Sequence, residues 1–306
     1  MPAKKHKLNK ITSFHIVNGF VLTLLCFVMI YPIWWVVTTS LADPVWLSSN
    51  VVTILPGAFS TDAYRYILSN TQIWTSYGNS VFYAAVTWAL TLVVECLVAY
   101  PLSLKTFKPR RFLNAFILIP MFFSGGLIPE YMLITNLLHL QNTVFALALP
   151  TAFSTLYIIL LRTNFASIPQ ELREAAVVDG AGDMRIFLQI VLPLSKVILS
   201  IISLYVLVDS WNNYVSPMLY ISDVTKKPLI LYLQDLLVTR ATDTMEMTIS
   251  QGWGVYQAIA SRGGALGLRT AIKMGTIVVS VLPVMAVYPF IQRYFISGVM
   301  SGAVKG

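Results

Sequence analysis

Lys4, Lys5, Lys7 and Lys10 precede an apolar run from about Ile16 to Val37 that holds no Asp, Glu, Lys or Arg. A helix of that length, rising 1.5 Å per residue, crosses the ~30 Å hydrocarbon core of a bilayer. The run exceeds the roughly 7–15 apolar residues of a secretory leader, although Ser40-Leu41-Ala42 would offer small residues for cleavage. It therefore predicts a retained membrane helix with its basic amino end in the cytoplasm. Inside hydrocarbon a chain must satisfy its own backbone groups, which only a helix or a closed barrel does. Further apolar stretches at about Asn79–Leu104, Phe112–Phe123, Thr143–Leu161, Val197–Val215 and Thr276–Ile291 predict an all-α, polytopic membrane protein with six transmembrane helices. With 57% apolar and 11% charged residues and a mean hydropathy of +0.72, the chain is far from a soluble domain, where about 25% of residues are charged.

Basic residues orient these spans, because Lys and Arg collect on cytoplasmic flanks. Lys105, Lys108, Arg110 and Arg111 follow the second span, and Arg162, Arg173, Arg185 and Lys196 lie between the fourth and fifth. Both regions are expected inside. From Leu41 to Tyr77 the only basic residue is Arg65, and none lies between Arg111 and Arg162, so these connections are expected outside. Trp34, Trp35 and Trp46 suit an outer interfacial belt. Ser124-Gly125-Gly126-Leu127-Ile128-Pro129 reads as a flexible or re-entrant break. The outer segment 222–272 carries Lys226, Lys227, Arg240, Arg262 and Arg269, more than the rule favours, but long translocated loops obey it weakly. The tail, 293–306, returns to the cytoplasm, so both termini are inside. The formal charge of +8 follows from these flanks and does not call for nucleic acid. Cys26 and Cys96 fall in apolar spans and read as two buried thiols. With no separating linker, residues 1–306 are expected to form one transmembrane domain.

Between the fourth and fifth spans lies Glu171–Pro193, ELREAAVVDGAGDMRIFLQIVLP, a polar interruption rich in glycine and alanine. Pro169 can open a helix that runs to about Asp179, where Gly180-Ala181-Gly182 stops it and Asp183 is placed to cap a second. Leu172, Ala175 and Ala176 share a face by their spacing, and two alanines let another surface approach closely. On helix logic alone this is also an ordinary linker. Glu174-Ala175-Ala176, Gly180 after three residues, Ile190 after nine more, and Leu192-Pro193 resemble the EAA motif of ABC-importer membrane subunits at every one of its positions. The resemblance implies a cytoplasmic coupling helix docked in a cleft of a partner ATPase dimer, with Leu172, Glu174, Ala175, Ala176, Gly180, Ile190 and Pro193 as its residues.

Glu95 and Asp209 lie inside apolar spans, where an acidic group is costly and is a candidate for a transport path. Asp209 is accompanied by Tyr205, Trp211, Asn212, Asn213 and Tyr214. Rings beside amides and a carboxylate suit sugars, whose C–H faces pack on rings while their hydroxyls bond to polar groups. An interfacial aromatic belt would use the same residues, and Glu95 could instead bond to a neighbouring helix. Trp211-Asn212-Asn213-Tyr214 with Pro217 is similar to the carbohydrate branch of the importer family. The end of the chain, Gln292-Arg293-Tyr294-Phe295, Gly298 and Gly302-Ala303-Val304-Lys305-Gly306, resembles maltose-type permeases. With Tyr288-Pro289-Phe290 and the Gly125–Pro129 break it is most similar to permeases for oligosaccharides and polyuronide fragments. The resemblance implies that Lys305 and Gly306 reach the ATPase, and that Trp253, Gly254, Tyr256 and Gln257 belong to a loop contacting an external binding protein. It also implies a second, different permease subunit, a bacterial cell membrane location and ATP-Mg on the partner ATPase.

The chain contains no G-x-x-x-x-G-K phosphate loop, no H-E-x-x-H and no G-x-S-x-G, and His6, His15 and His139 are scattered. No catalytic residue, metal or cofactor is therefore expected in this chain. Three rivals remain at this level. An ion-coupled secondary carrier would use Glu95 and Asp209 as relay groups, an assembly subunit would need no path, and an ABC importer could take amino acids or metals.

Overall fold

The computed structural model describes residues 13–52, 54–123, 125–238, 261 and 263–303, and every named element within them is helical. In chain order these are α1 (Ser13–Ser40), α2 (Pro44–Ser49), α3 (Asp62–Ser69), α4 (Thr71–Ser103), α5 (Arg110–Phe122), α6 (Leu127–Met132) and α7 (Phe145–Thr151). They continue with α8 (Thr155–Ala166), α9 (Gln170–Val178), α10 (Asp183–Ile186), α11 (Leu192–Leu194), α12 (Lys196–Asn212), α13 (Val215–Tyr220), α14 (Leu229–Val238) and α15 (Ala265–Ala303). Three stretches, Ile16–Ser40, Thr71–Ser103 and Ala265–Pro283, are long and apolar enough to cross a membrane unaided; three bent helix pairs bring the possible crossings to six.

The bent pairs correct the expectation of continuous spans. In place of one helix over Thr143–Leu161, α7 and α8 meet at 56°. Pro150, in the last turn of α7, has no N–H to continue the ladder. The fifth span is likewise entered at an angle, Asp183–Leu194 meeting Lys196–Asn212 at 79° just after Pro193. A break in a lipid-facing span is tolerated only where other groups take up the freed backbone. Here the Ser154 N–H, at the amino end of α8, donates to Glu95 Oε1 at 3.1 Å, and Thr155 Oγ1 donates to the Ile117 carbonyl at 3.0 Å.

Contacts divide the chain into two compact units. One contains α1 to α3 and the first part of α15. There the indoles of Trp34 and Trp35 donate to the carbonyls of Ile54 (2.7 Å) and Val52 (2.9 Å), so these tryptophans also fasten the segment that follows α2. Asp43 caps α2 by accepting from Val45 N and Trp46 N, both at 2.9 Å. Alpha1 itself is unburied along its apolar window, and Cys26, expected inside, lies exposed on it. A helix that is apolar all round needs lipid or another membrane surface.

The other unit is organised on α4, whose contacts are chiefly with α7, α8 and α12. Its main core gathers Ala99, Tyr100, Ile158, Leu161, Phe165, Phe187 and Ile202. Towards the other end of α4, polar side chains hold the 224–227 loop by its carbonyls: Gln72 bonds Val224 O, Asn79 bonds Thr225 O and Tyr83 bonds Lys226 O, at 2.8–2.9 Å. The two lysines that strained the orientation rule have partners here. Lys226 Nζ donates to Asn142 O at 3.1 Å, and Lys227 Nζ pairs with Asp235 at 2.8 Å. Hydrogen bonds from the Thr225 side chain and backbone hold the Asp223 carboxyl below its ordinary range.

Gly267 sits where α15 crosses α2: a Cβ there would overlap the Pro44 carbonyl and crowd Ser48 N, and its own N–H bonds Ser48 Oγ at 3.0 Å. Gly267→Ala is expected to cost about 1–3 kcal/mol, the usual penalty of overpacking, seen as earlier thermal unfolding in detergent. Gly78→Ala, which meets nothing within 4 Å, is the control and is expected to be neutral or slightly stabilising.

Candidate functional site

The Glu171–Pro193 segment folds as helix, bend, helix. Alpha9 ends at Asp179, and Gly180 takes φ +79°, a left-handed conformation that strains any side chain. Gly180 N donates to Val177 O at 3.0 Å and Ala181 N to Ala176 O at 2.9 Å. These two bonds form a Schellman closure, which satisfies carbonyls left over at the end of α9. Two local expectations change. Pro169 is the residue before α9 rather than its first, and Asp183 does not cap α10: Gly182 holds that position and Asp183 lies in the first turn. After α10 the backbone widens into a π-turn over Phe187–Val191. Pro193 follows it, and without an N–H it cannot bond back to Gln189 in a regular α-turn.

The segment is keyed into the helical body by aromatic and cationic contacts. Ile186, Phe187 and Val191 are buried in the main core. The Phe187 ring lies between Tyr100 of α4 (centroids 4.8 Å apart, planes at 34°) and Phe165 of α8 (6.4 Å, 80°). Arg173 of α9 reaches the same place. Its Nη2 donates to the Phe165 carbonyl and its guanidinium sits 5.9 Å from the Tyr100 ring centroid. The Tyr100 hydroxyl in turn donates to the Asp183 carbonyl at 3.3 Å. Beside α9 an open cavity of about 670 Å³ separates it from Ser103, Leu104 and Lys105 at the end of α4. The helix is therefore pinned at a few points and free along one flank.

The predicted docking face is partly reassigned. Ala176 is half-buried against the core together with Ala181 and Ile190, so it faces the body. Leu172, Ala175 and Val178 are exposed and recur every three residues, Val178 at 87% exposure. Glu174 is exposed and accepts from Gln170 Nε2 at 2.7 Å. Pro193 is exposed. Arg173 carried only a topological meaning in the sequence, since its partners lie in α4 and α8. Trp253, Gly254, Tyr256, Gln257, Lys305 and Gly306 lie outside the described residues.

The residues predicted around Asp209 divide between two cavities. One, of about 340 Å³, is lined by Asp209 and Asn213 together with Thr87, Phe153, Ser154 and Tyr157. The Tyr157 hydroxyl donates to Asp209 Oδ2 at 3.4 Å, and its ring stacks with Tyr205 at 6.4 Å and 15°. The other, of about 120 Å³, takes Trp211 and Asn212 with Leu229 and Ser280, and Trp211 Nε1 donates to Ser280 O at 3.2 Å. Tyr214 is exposed and lines neither. Glu95 is 0% exposed and lies behind Ser154; Oε1 takes the Ser154 N–H, while Oε2 has no partner. Tyr157 and Thr87 were not legible as site residues, because each sits in an apolar run and acquires meaning only from helices distant in sequence.

A helical membrane protein with a pinned, outward-facing helix–bend–helix between its fourth and fifth spans is the architecture of an importer permease. No family model matches the chain. It is 35% identical over 292 residues to the Bacillus subtilis polygalacturonan/rhamnogalacturonan transport system permease protein YtcP, covering 95% of this chain and 97% of that one. To the B. subtilis protein LplC it is 33% identical over 279 residues, 91% of this chain and 90% of that one. Its structure is similar, with a TM-score of 0.83 and 29% identity, to a chain of a bacterial ABC transporter involved in the import of the acidic polysaccharide alginate, covering 95% of this chain and 100% of that one. The chain belongs to the family of membrane permease subunits of carbohydrate ABC importers.

Arg173→Ala is expected to loosen α9 from the body by about 1.5–3 kcal/mol, the worth of a charge-assisted hydrogen bond. Amide exchange measured by mass spectrometry should then speed up over residues 170–181 and stay unchanged in α4 and α8. Equal protection of that segment in wild type and variant would show that Arg173 does not pin it.

Proposed function

We propose that this chain is one of two permease subunits of a bacterial cell-membrane importer, paired with a different permease, an ATPase dimer carrying ATP-Mg and an extracytoplasmic binding protein. Its cargo is an oligosaccharide, and both termini lie in the cytoplasm. The observation that carries the reading is the two-sidedness of the Glu171–Pro193 segment. Leu172, Ala175 and Val178 are presented outward, as a docked helix requires, while Arg173, Ala176 and Phe187 grip the membrane helices from the other side. The relatives add support. Protein YtcP is a permease of polygalacturonan/rhamnogalacturonan transport, and a further relative at 28% identity, AraQ of Halalkalibacterium halodurans, is a permease of arabinooligosaccharide transport.

The geometry suits transmission of force. A push on the exposed face of α9 passes through Arg173 to the Phe165 carbonyl and through Phe187 to Tyr100, and so reaches α8 and α4. Close-packed cores move between discrete packings rather than deforming smoothly, so such a push selects between two arrangements of the spans. The stacked Tyr157 and Tyr205 beside Asp209 and Asn213 offer the ring faces and polar groups that a sugar uses.

Glu174 lies on the exposed side and makes one local side-chain bond, to Gln170. Its reversal to Lys is therefore expected to leave folding and membrane insertion intact. In lipid nanodiscs with its ATPase, partner permease and binding protein, Glu174→Lys is expected to abolish sugar-stimulated ATP hydrolysis. Normal stimulated hydrolysis by the variant would refute the coupling assignment. If the wild-type chain alone in vesicles transports sugar on an ion gradient, the carrier reading that uses Glu95 and Asp209 gains instead.

A further inference from the structure

The 340 Å³ cavity has α7 and α8 on one side, through Leu147, Thr151 and Tyr157, and α12 on the other, through Val206, Asp209 and Ser210. Where α12 ends, the chain crosses to the beginning of α7 as a strap, residues 213–223, with α13 as its middle. Both ends of the strap are held by asparagine side chains. Asn213, on the cavity lining, closes α12 and takes hold of α13: its Oδ1 accepts from Ser216 N at 3.2 Å, and its Nδ2 donates to Ser216 Oγ at 3.0 Å. At the far end Asn142, three residues before α7, receives the strap. Its Oδ1 accepts from Ser222 N at 2.8 Å and from Asp223 N at 2.9 Å, its Nδ2 donates to Ser222 Oγ at 3.0 Å, and its backbone N–H donates to the Tyr220 carbonyl at 2.9 Å. Beside this junction Tyr220 and Ile221, each 2% exposed, pack with Ala146 and Leu147 of α7.

Asn142 makes these bonds at φ +57°, a left-handed conformation that asparagine tolerates better than most residues. They join positions 80 residues apart in sequence, and two of them go to backbone N–H groups of the strap. The six residues of α13 make a rigid piece about 9 Å long at 1.5 Å per residue. A piece of fixed length with both ends held sets the spacing of the parts it joins. We propose that Asn142 is a positioning residue: it latches the strap to α7 and so fixes how far α7 and α12 stand apart across the cavity. Groups on opposite walls can grip one ligand together only at the right spacing, which rigid supporting contacts must hold. Its effect on binding rests on the cavity being the saccharide site proposed above.

The test uses the assembled complex in nanodiscs, with spin labels on Phe145→Cys at the start of α7 and Tyr214→Cys at the end of α12, two exposed positions that do not line the cavity. Cys26→Ala and Cys96→Ala remove the native thiols. With Asn142 in place, pulsed electron resonance should give one narrow distance. Asn142→Gly accepts the left-handed backbone and removes only the latch; the distance distribution is expected to broaden and lengthen, and maltotriose affinity, measured without the labels, to fall severalfold. Asn142→Asp keeps an acceptor for both strap N–H groups and is expected to restore the narrow distance and most of the affinity. An unchanged distribution in Asn142→Gly overturns the latch, whatever binding does. A broadened distribution with maltotriose affinity unchanged overturns the positioning role. A distribution as broad in Asn142→Asp as in Asn142→Gly overturns the part given to the Oδ1 acceptor. Broadening in Asn142→Gly alone, with no maltotriose bound by any of the chains, supports the latch and overturns the saccharide reading of the cavity.

Discussion

Hydrocarbon offers no hydrogen bonds, so each backbone N–H and C=O within the membrane must find its partner inside the protein. This chain meets that constraint simply along α1, α4 and α15 and with help at its bent pairs. The help comes from polar side chains that would otherwise be liabilities. Glu95, buried at 0% exposure, takes the Ser154 N–H where α7 gives way to α8, and Thr155 returns its hydroxyl to Ile117. Phe153, Ser154 and Tyr157, at and just after this bend, lie on the wall of the 340 Å³ cavity. The break made by Pro150 frees backbone groups, and the Glu95 carboxyl takes up one of them.

The same economy governs the Glu171–Pro193 segment. An isolated nine-residue helix such as α9 is marginal in water, and here it is stabilised at its carboxyl end and along one side. Gly180 closes its carboxyl end, Arg173 ties its flank to α8, and Phe187 wedges the following turn between α4 and α8. The rest of α9 remains exposed or borders open space. Such an element has the attachment that the proposed coupling role asks of it, held at a few points and free along one flank.

On the opposite side of the unit, α4 holds the 224–227 loop by backbone carbonyls rather than by side chains. That grip depends on Gln72, Asn79 and Tyr83 of α4 and is indifferent to most residues of the loop itself. Of the two lysines in this segment, Lys227 is paired with the Asp235 carboxylate, while the exposed Lys226 donates to the neutral Asn142 carbonyl and keeps its charge.

Apolar run length, basic flanks and the spacing from Glu174 to Pro193 determined a great deal by themselves: helical class, number of crossings, family and the position of the helix–bend–helix. These features are local, set by bilayer thickness, by the conformational freedom of glycine and by the missing N–H of proline, and they survive in the bare order of residues. Tertiary structure alone decided which face of α9 turns outward. It set Ala176 inward and Val178 outward, because the partners of Arg173 come from α4 and α8. It also split the Asp209 neighbours between two cavities and brought in Thr87 and Tyr157, whose roles arise from side chains about fifty or more residues away meeting in space. Such meetings are fixed by how the helices pack, and no pattern along a single helix records them.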